Sequence, residues 1–272
     1  HMDAKAQLKA IDESVQRVVS LQYTYLHRVL DSLEEEGLYF LHPEELDVKT
    51  KNWLRHYFEE QIYPVVTPLA VDSGHPFPFF ANHTINTIVR IFQVQSDGTK
   101  DYKIAILPIP SVLDRIIEVP TPSNKTHHFV YLEDVINFYA IQFFQGYGIE
   151  ESMTFRLTRD ADLEIAEEDT KDLLTEVEAS LRRRRRGDAV RLEVVGEGSP
   201  ELLSTVLKSV ELEKKDVYHI DGHLDCRMYF DFSNYPGYDY LRYKPFESKT
   251  PSDLIGCESE NLLDVIRERD IF

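Results

Sequence analysis

Only two cysteines, Cys226 and Cys257, occur in 272 residues. That is too few for a disulfide framework, and their spacing is not that of a zinc site, so reduced, partly buried thiols are expected. No apolar run approaches the ~20 residues of a membrane span and no charged-then-apolar leader opens the chain, so a cytoplasmic protein is expected. Positive charge is scarce. With 30 basic against 48 acidic residues the formal charge is −18, which argues against general affinity for nucleic acid or anionic membrane; any polyanion site would have to be local. The sequence also lacks a phosphate-binding glycine loop of either the P-loop or dinucleotide type, a GxSxG elbow and an HExxH helix. Residues alone therefore give no catalytic constellation, no cofactor-binding residue and no metal ligand. No internal repeat is present. His1 and Met2 are expected to derive from an expression vector.

What is present is a foldable globular chain, 42% hydrophobic, long enough for one large domain or two modest ones. Its organising stretch is FRLTRDADLEIAEEDTKDLLTEVEASLRRRRRGDAVRLEVV, residues 155–195. A β-like run at 153–158 leads through an Asp-rich turn into a charged helix, and an alternating run at 189–195 leads away. Within the helix Leu173, Leu174, Val177 and Leu181 recur at three- and four-residue spacing, an apolar stripe that must pack on a sheet. Acidic residues crowd its start and Arg182 to Arg186 its end, the order the helix dipole favours. Gly187 is expected to stop it as a residue that can take positive φ.

Residues 3–36 contain no proline or glycine, and Leu8, Ile11, Val15, Val18, Tyr25, Val29 and Leu33 fall at helical spacing. One amphipathic helix of about 50 Å is predicted, too long for a small domain to cover and therefore in search of a partner. Asp47 is the expected N-cap of a second helix carrying Trp53, Leu54, Tyr57, Phe58 and Ile62, closed by Pro64. Residues 65–71 read as a buried strand that Pro68 places at an edge or bulge. Residues 84–94 and 101–109 read as a hairpin turned by Asp97 and Gly98. A helical turn is expected at 112–117, a strand at 128–132, and a helix at 133–144. Ser199 and Pro200 start a helix to about residue 210, followed by a short strand at 217–220, a short helix within 224–232 and a closing helix at 260–270. Residues 234–250 suggest no regular structure. The sum is an α/β (α+β) fold, a mixed sheet with packed helices behind a long N-terminal amphipathic helix.

Each candidate for chemistry has a plainer alternative. Arg182, Arg183, Arg184, Arg185 and Arg186 could contact a phosphate chain, since guanidinium groups bind phosphate oxygens bidentately. Consecutive residues point all round a helix, so at most two or three could converge, and a solvated helix end is the alternative. The run HIDGHLDC brings His219, Asp221, His223, Asp225 and Cys226 close in sequence. Gly222 and a change to helix at Leu224 would scatter them, so turn and cap duty competes with metal binding. Asp160, Asp162 and Glu164 could hold magnesium or simply form a turn. His127 and His128 are adjacent and cannot share a metal on a strand. Phe77, Phe79, Phe80, Tyr235, Tyr238, Tyr240 and Tyr243 could stack on an adenine or a partner, or line a packed loop.

The run TRDADLEI, the acidic helix ending in arginines and GDAVRLEV resemble the middle part of the bacterial polyphosphate kinases of the first type. EEEGLYFLHPEEL, NWLRHYFEEQIYPVVTPLAVDSGHPFPF and LLDVIRERDIF agree in order, so the resemblance spans nearly the whole chain. It implies a helical lead-in at residues 1–63 and a head (middle) domain at 64–272. The family's enzymes transfer the terminal phosphate of ATP reversibly to polyphosphate through a phosphohistidine, with ATP and magnesium. The opening motif of the kind RELSWLxFNxRVL and the HPYxSF-like continuation do not occur here, so no catalytic, nucleotide or magnesium residue can be carried over. The resemblance thus implies an inactive head that serves dimerisation and scaffolding, with the remaining domains of the same chain, a second subunit and polyphosphate as the expected partners.

Overall fold

The computed structural model describes residues 3–71, 77–121, 123, 125–160, 187–249, 254 and 262–268. The predicted helix of the organising stretch, with Arg182, Arg183, Arg184, Arg185, Arg186, Asp162 and Glu164, lies outside the described residues, as does Cys257. The chain divides into two units, residues 1–228 and 229–272.

In the first unit, helix α1 (Ala4–Glu35) forms as the proline- and glycine-free run predicts. Asp3 caps its start, and Gly37 ends it with φ +86°. No other residue fits at Gly37, because a Cβ there would sit 2.8 Å from the Lys125 carbonyl. Strand β1 (Leu38–Phe40) follows, then a short 3-10 turn, Pro43–Glu45. Helix α2 (Val48–Tyr57) starts where Asp47 accepts from the amides of Lys49 and Thr50 at 2.8 and 3.0 Å, and it continues as a π-helical turn, Phe58–Ile62.

Strand β2 (Leu69–Val71) is shorter and more exposed than the buried strand expected at 65–71, although it does sit at a sheet edge. Strands β3 (Ile85–Val94) and β4 (Lys100–Pro108) form the hairpin. In place of a helical turn near 112–117 the chain forms strand β5 (Ile116–Val119), whose residues pair with those of β6 (His127–Tyr131). The β-branched pair Ile116 and Ile117 suits that half-buried ladder better than a helix. Helix α3 (Leu132–Phe138) runs on into a 3-10 turn, Ala140–Phe143. Strand β7 (Gly148–Arg159), strand β8 (Ala189–Val195), helix α4 (Pro200–Val210, capped by Ser199) and strand β9 (Val217–Ile220) complete the unit.

Two mixed sheets result. One has the order β1-β6-β5, with β1 and β6 parallel. The other has the order β2-β4-β3-β7-β8-β9, antiparallel except for β8 and β9, which α4 joins as a parallel crossover. Alternation splits the larger sheet's faces. Ile88, Ile106, Phe155, Leu157, Leu192 and Val194 turn to the face that α4 covers. Val89, Ala105 and Leu107 turn the other way, into a core with α2, α3 and the smaller sheet. On that second face β7 and β8 present Thr154, Arg156, Arg191 and Glu193 in place of apolar side chains.

The helix that Gly187 is expected to stop lies outside the described residues. At Gly187 itself the requirement is steric, since a Cβ would collide with the Asp160 carbonyl.

In the second unit, the helix expected within 224–232 is confined to α5 (Met228–Phe232). A 3-10 turn, Asp239–Leu241, interrupts the tyrosine-rich segment, and α6 (Leu262–Glu268) is the last described element.

Candidate functional site

The polar face of β7 and β8 is where the first unit concentrates its titratable groups. Arg156 and Glu193 are direct cross-strand partners, and the guanidinium Nε reaches the carboxylate at 2.5 Å. Arg191 donates to the other Glu193 oxygen at 2.6 Å and lies 3.9 Å over the Tyr218 ring. Burial works against the Arg156 charge, but Glu193 and then Asp225 overcome it and hold the guanidinium above its ordinary pKa.

The loop from Asp221 to Arg227 lies against this face, and three arginines hold its Asp225. Asp225 takes φ +62°. Arg227 clamps its carboxylate at 2.7 and 2.5 Å, Arg156 stands 3.4 Å away, and Arg115 donates to its backbone carbonyl at 3.1 Å. Burial raises the Asp225 carboxyl, and the bond from Arg227 with the charge of Arg156 outweighs it, bringing it down to about 2. Arg115 is also paired with the buried Glu133 through both guanidinium and carboxylate branches.

Beside this network a single oxygen, Asp134 Oδ2, meets two imidazoles, His223 Nε2 at 2.9 Å and His42 Nδ1 at 3.1 Å. The Tyr131 ring stacks on His223 with centroids 3.6 Å apart. Burial raises the Asp134 carboxyl, but hydrogen bonds from His223 and His42 prevail and bring it down to about 2. From α1, Tyr23 donates to the His223 carbonyl at 2.8 Å, Gln22 to Cys226 Sγ at 3.2 Å and Gln16 to the Val217 carbonyl at 3.4 Å, while Asp12 accepts from Tyr218 at 2.7 Å. Burial, first of all, pushes the Tyr23 phenol well up.

Chemically this is a brace. The carboxylates of Glu133, Asp134, Glu193 and Asp225 each face a guanidinium or imidazole, and among the described residues no group of three or more His, Cys, Asp or Glu side chains could hold a metal ion. The HIDGHLDC residues part company: His219 bonds the Gly196 carbonyl, Asp221 lies exposed 3.9 Å from His27, and His223, Asp225 and Cys226 join the network. Asp160 is exposed at the end of β7. His127 pairs with Glu118, while His128 sets its ring edge-on to Tyr39. Phe80 is buried against Phe155, and Phe79 lies exposed under Arg159. Phe232, Tyr235, Tyr238 and Tyr240 form a run of neighbouring rings in the second unit, stacked within the first and last pairs and tilted between Tyr235 and Tyr238, and Tyr243 and Phe246 are fully open.

Sequence reasoning missed Thr154, Arg156, Arg191 and Glu193, because alternation with apolar residues reads as a solvated face. The opposite charges at paired strand positions were the available signal.

Residues 49–232 match the family described as the polyphosphate kinase middle domain. This chain belongs to the polyphosphate kinase family. A polyphosphate kinase of Halalkalibacterium halodurans is 38% identical over 98% of this chain and 38% of its own length. One from Pseudomonas aeruginosa is 34% identical over 97% of this chain and 38% of its own. The crystal structure of polyphosphate kinase from Porphyromonas gingivalis shares the fold, with a TM-score of 0.71 at 23% identity over 97% of this chain and 37% of that one. The chain therefore spans about 38% of the length of the curated relatives it matches. Among the described residues no helix is long and apolar enough to cross a membrane.

Proposed function

We infer that this chain is a non-catalytic head portion of a polyphosphate kinase, which pairs subunits and frames the catalytic parts of its parent in the cytoplasm. The parent would pass the terminal phosphate of ATP reversibly to polyphosphate through a phosphohistidine, with ATP and magnesium bound in parts of the enzyme that this chain does not span. The observation that carries the reading is α1. In a helix of 32 residues Tyr23 alone is buried, while Leu8, Ile11, Val18, Leu21, Tyr25 and Val29 are exposed. An apolar flank of that length favours a protein partner, a second subunit or the remaining domains of the parent. The non-catalytic half rests on the brace, whose charges are spent on one another.

Sedimentation equilibrium and an assay for polyphosphate made from ATP test this. A dimer without turnover is expected, converted to monomer by Val18→Glu with Tyr25→Glu at unchanged circular dichroism. A monomer at the highest soluble concentration would overturn the pairing role, and turnover by the chain would overturn the non-catalytic one.

A second reading, that the head also contacts polyphosphate, is favoured by the commitment of Arg90, Arg115, Arg156 and Arg227 to carboxylates. The run Arg182 to Arg186 is the densest positive charge in an otherwise acidic sequence.

A further inference from the structure

We propose that His42, Asp134 and His223 form a proton-operated latch that sets how firmly α1 is held to its domain. The geometry joins three separate pieces of chain at one oxygen: the corner after β1 through His42, the start of α3 through Asp134, and the 221–227 loop through His223. His223 passes the connection to α1, because its carbonyl accepts the Tyr23 hydroxyl.

The neighbourhood makes the latch sensitive to one proton. Glu44 and Glu45 face His42 from its own turn, and Glu133 lies beside Asp134 on α3. Asp221, Asp225 and Cys226 belong to the loop, Tyr131 stacks from β6, and Tyr23 and His27 come from α1. Arg115 is already shared between Glu133 and the Asp225 carbonyl. Protonated His42 therefore balances the Asp134 carboxylate, and loss of its proton leaves that carboxylate, which also anchors His223 of the loop, among like charges. The hydrogen bond to Asp134, ahead of an opposing burial effect, raises the pKa of His42. A raised folded pKa means the stabilisation is complete at low pH and is lost as pH rises through that value. The loop, and α1 with it, is then held less tightly on the alkaline side.

Amide hydrogen exchange of residues 15–26 in the full chain, referenced to helix α4 and corrected for intrinsic base catalysis, tests the latch between roughly pH 6 and 8.5. In the unaltered protein, protection of α1 relative to α4 falls several-fold as pH rises. His42→Asn keeps an amide N–H where Nδ1 stood but cannot titrate, and it abolishes the fall. His56→Asn, at an exposed pair with Glu60, leaves it in place. Asp134→Asn lowers the titration midpoint of His42 read by NMR, a result that does not depend on how well His42→Asn folds. A pH-independent ratio in the unaltered protein, persistence of the fall in His42→Asn, or a His42 midpoint indifferent to Asp134→Asn would each overturn the proposal.

Discussion

Tyr23 and His223 stand 200 residues apart in sequence and are joined by one hydrogen bond, phenol to backbone carbonyl, at 2.8 Å. The same tyrosine ring lies against Gly222 (φ +149°), where an added Cβ would come within 3.0 Å of the ring. The long helix is thus fastened by its single buried side chain. Tyr23→Phe keeps the ring and removes the donor, so it is expected to destabilise the domain by about 1 kcal/mol. Tyr23→Ala, which also empties the space, is expected to cost about 3 kcal/mol or more. Urea unfolding read against the two variants checks the order.

Glu133 is 4% exposed and Arg115 15% exposed as side chains. Because both charges are out of water, removing one leaves the other uncompensated. Glu133→Gln is expected to cost about 3–5 kcal/mol, whereas Glu213→Gln at the exposed pair of Lys215 with Glu213 should leave stability almost unchanged, because solvent screens that pair. Thermal unfolding of both variants tests the contrast, and equal effects would show that burial does not set the value of these pairs.

Much of this architecture is legible in the chain because local chemistry fixes it. Asp47, Gly37, the Asp97–Gly98 turn and the Ser199–Pro200 pair mark boundaries by their backbone requirements, and each stands where those requirements place it. What stays illegible depends on partners remote in sequence. Ile116 and Ile117 are strand residues only because β6 lies beside them. Arg156 and Glu193 look like solvent-facing positions until α1 and the 221–227 loop lie against them. His42, Asp134 and His223 carry no spacing signal, since 92 residues separate the first two and 89 the last two.

The acid limb of stability follows from Asp134. Its folded pKa, about 2, lies below its ordinary value, so its contribution is present above that ordinary value and is lost as pH falls through about 2. The difference corresponds to roughly 2 kcal/mol. Asp225 titrates in the same direction and adds to the same limb. Asp134→Asn is expected to flatten part of the fall in urea midpoint between roughly pH 4 and 2. An unchanged acid slope in that variant would mean that Asp134 is equally well solvated in the folded and unfolded chain.

The arginine run is the remaining test of what the head contacts. Polyphosphate binding that depends on Arg183, Arg184 and Arg185 should weaken with salt, because each guanidinium that neutralises a phosphate releases a counterion. Titration of the chain with long-chain polyphosphate at two salt concentrations, beside a variant carrying Arg183→Gln, Arg184→Gln and Arg185→Gln, separates the alternatives. Salt-sensitive binding that the variant loses would make the run a contact for the phosphate chain. With a formal charge of −18 over the whole molecule, such binding would have to be local, since the long-range field repels a polyanion. Absence of binding by both proteins, each shown to be folded, would overturn the reading that these arginines contact the phosphate chain.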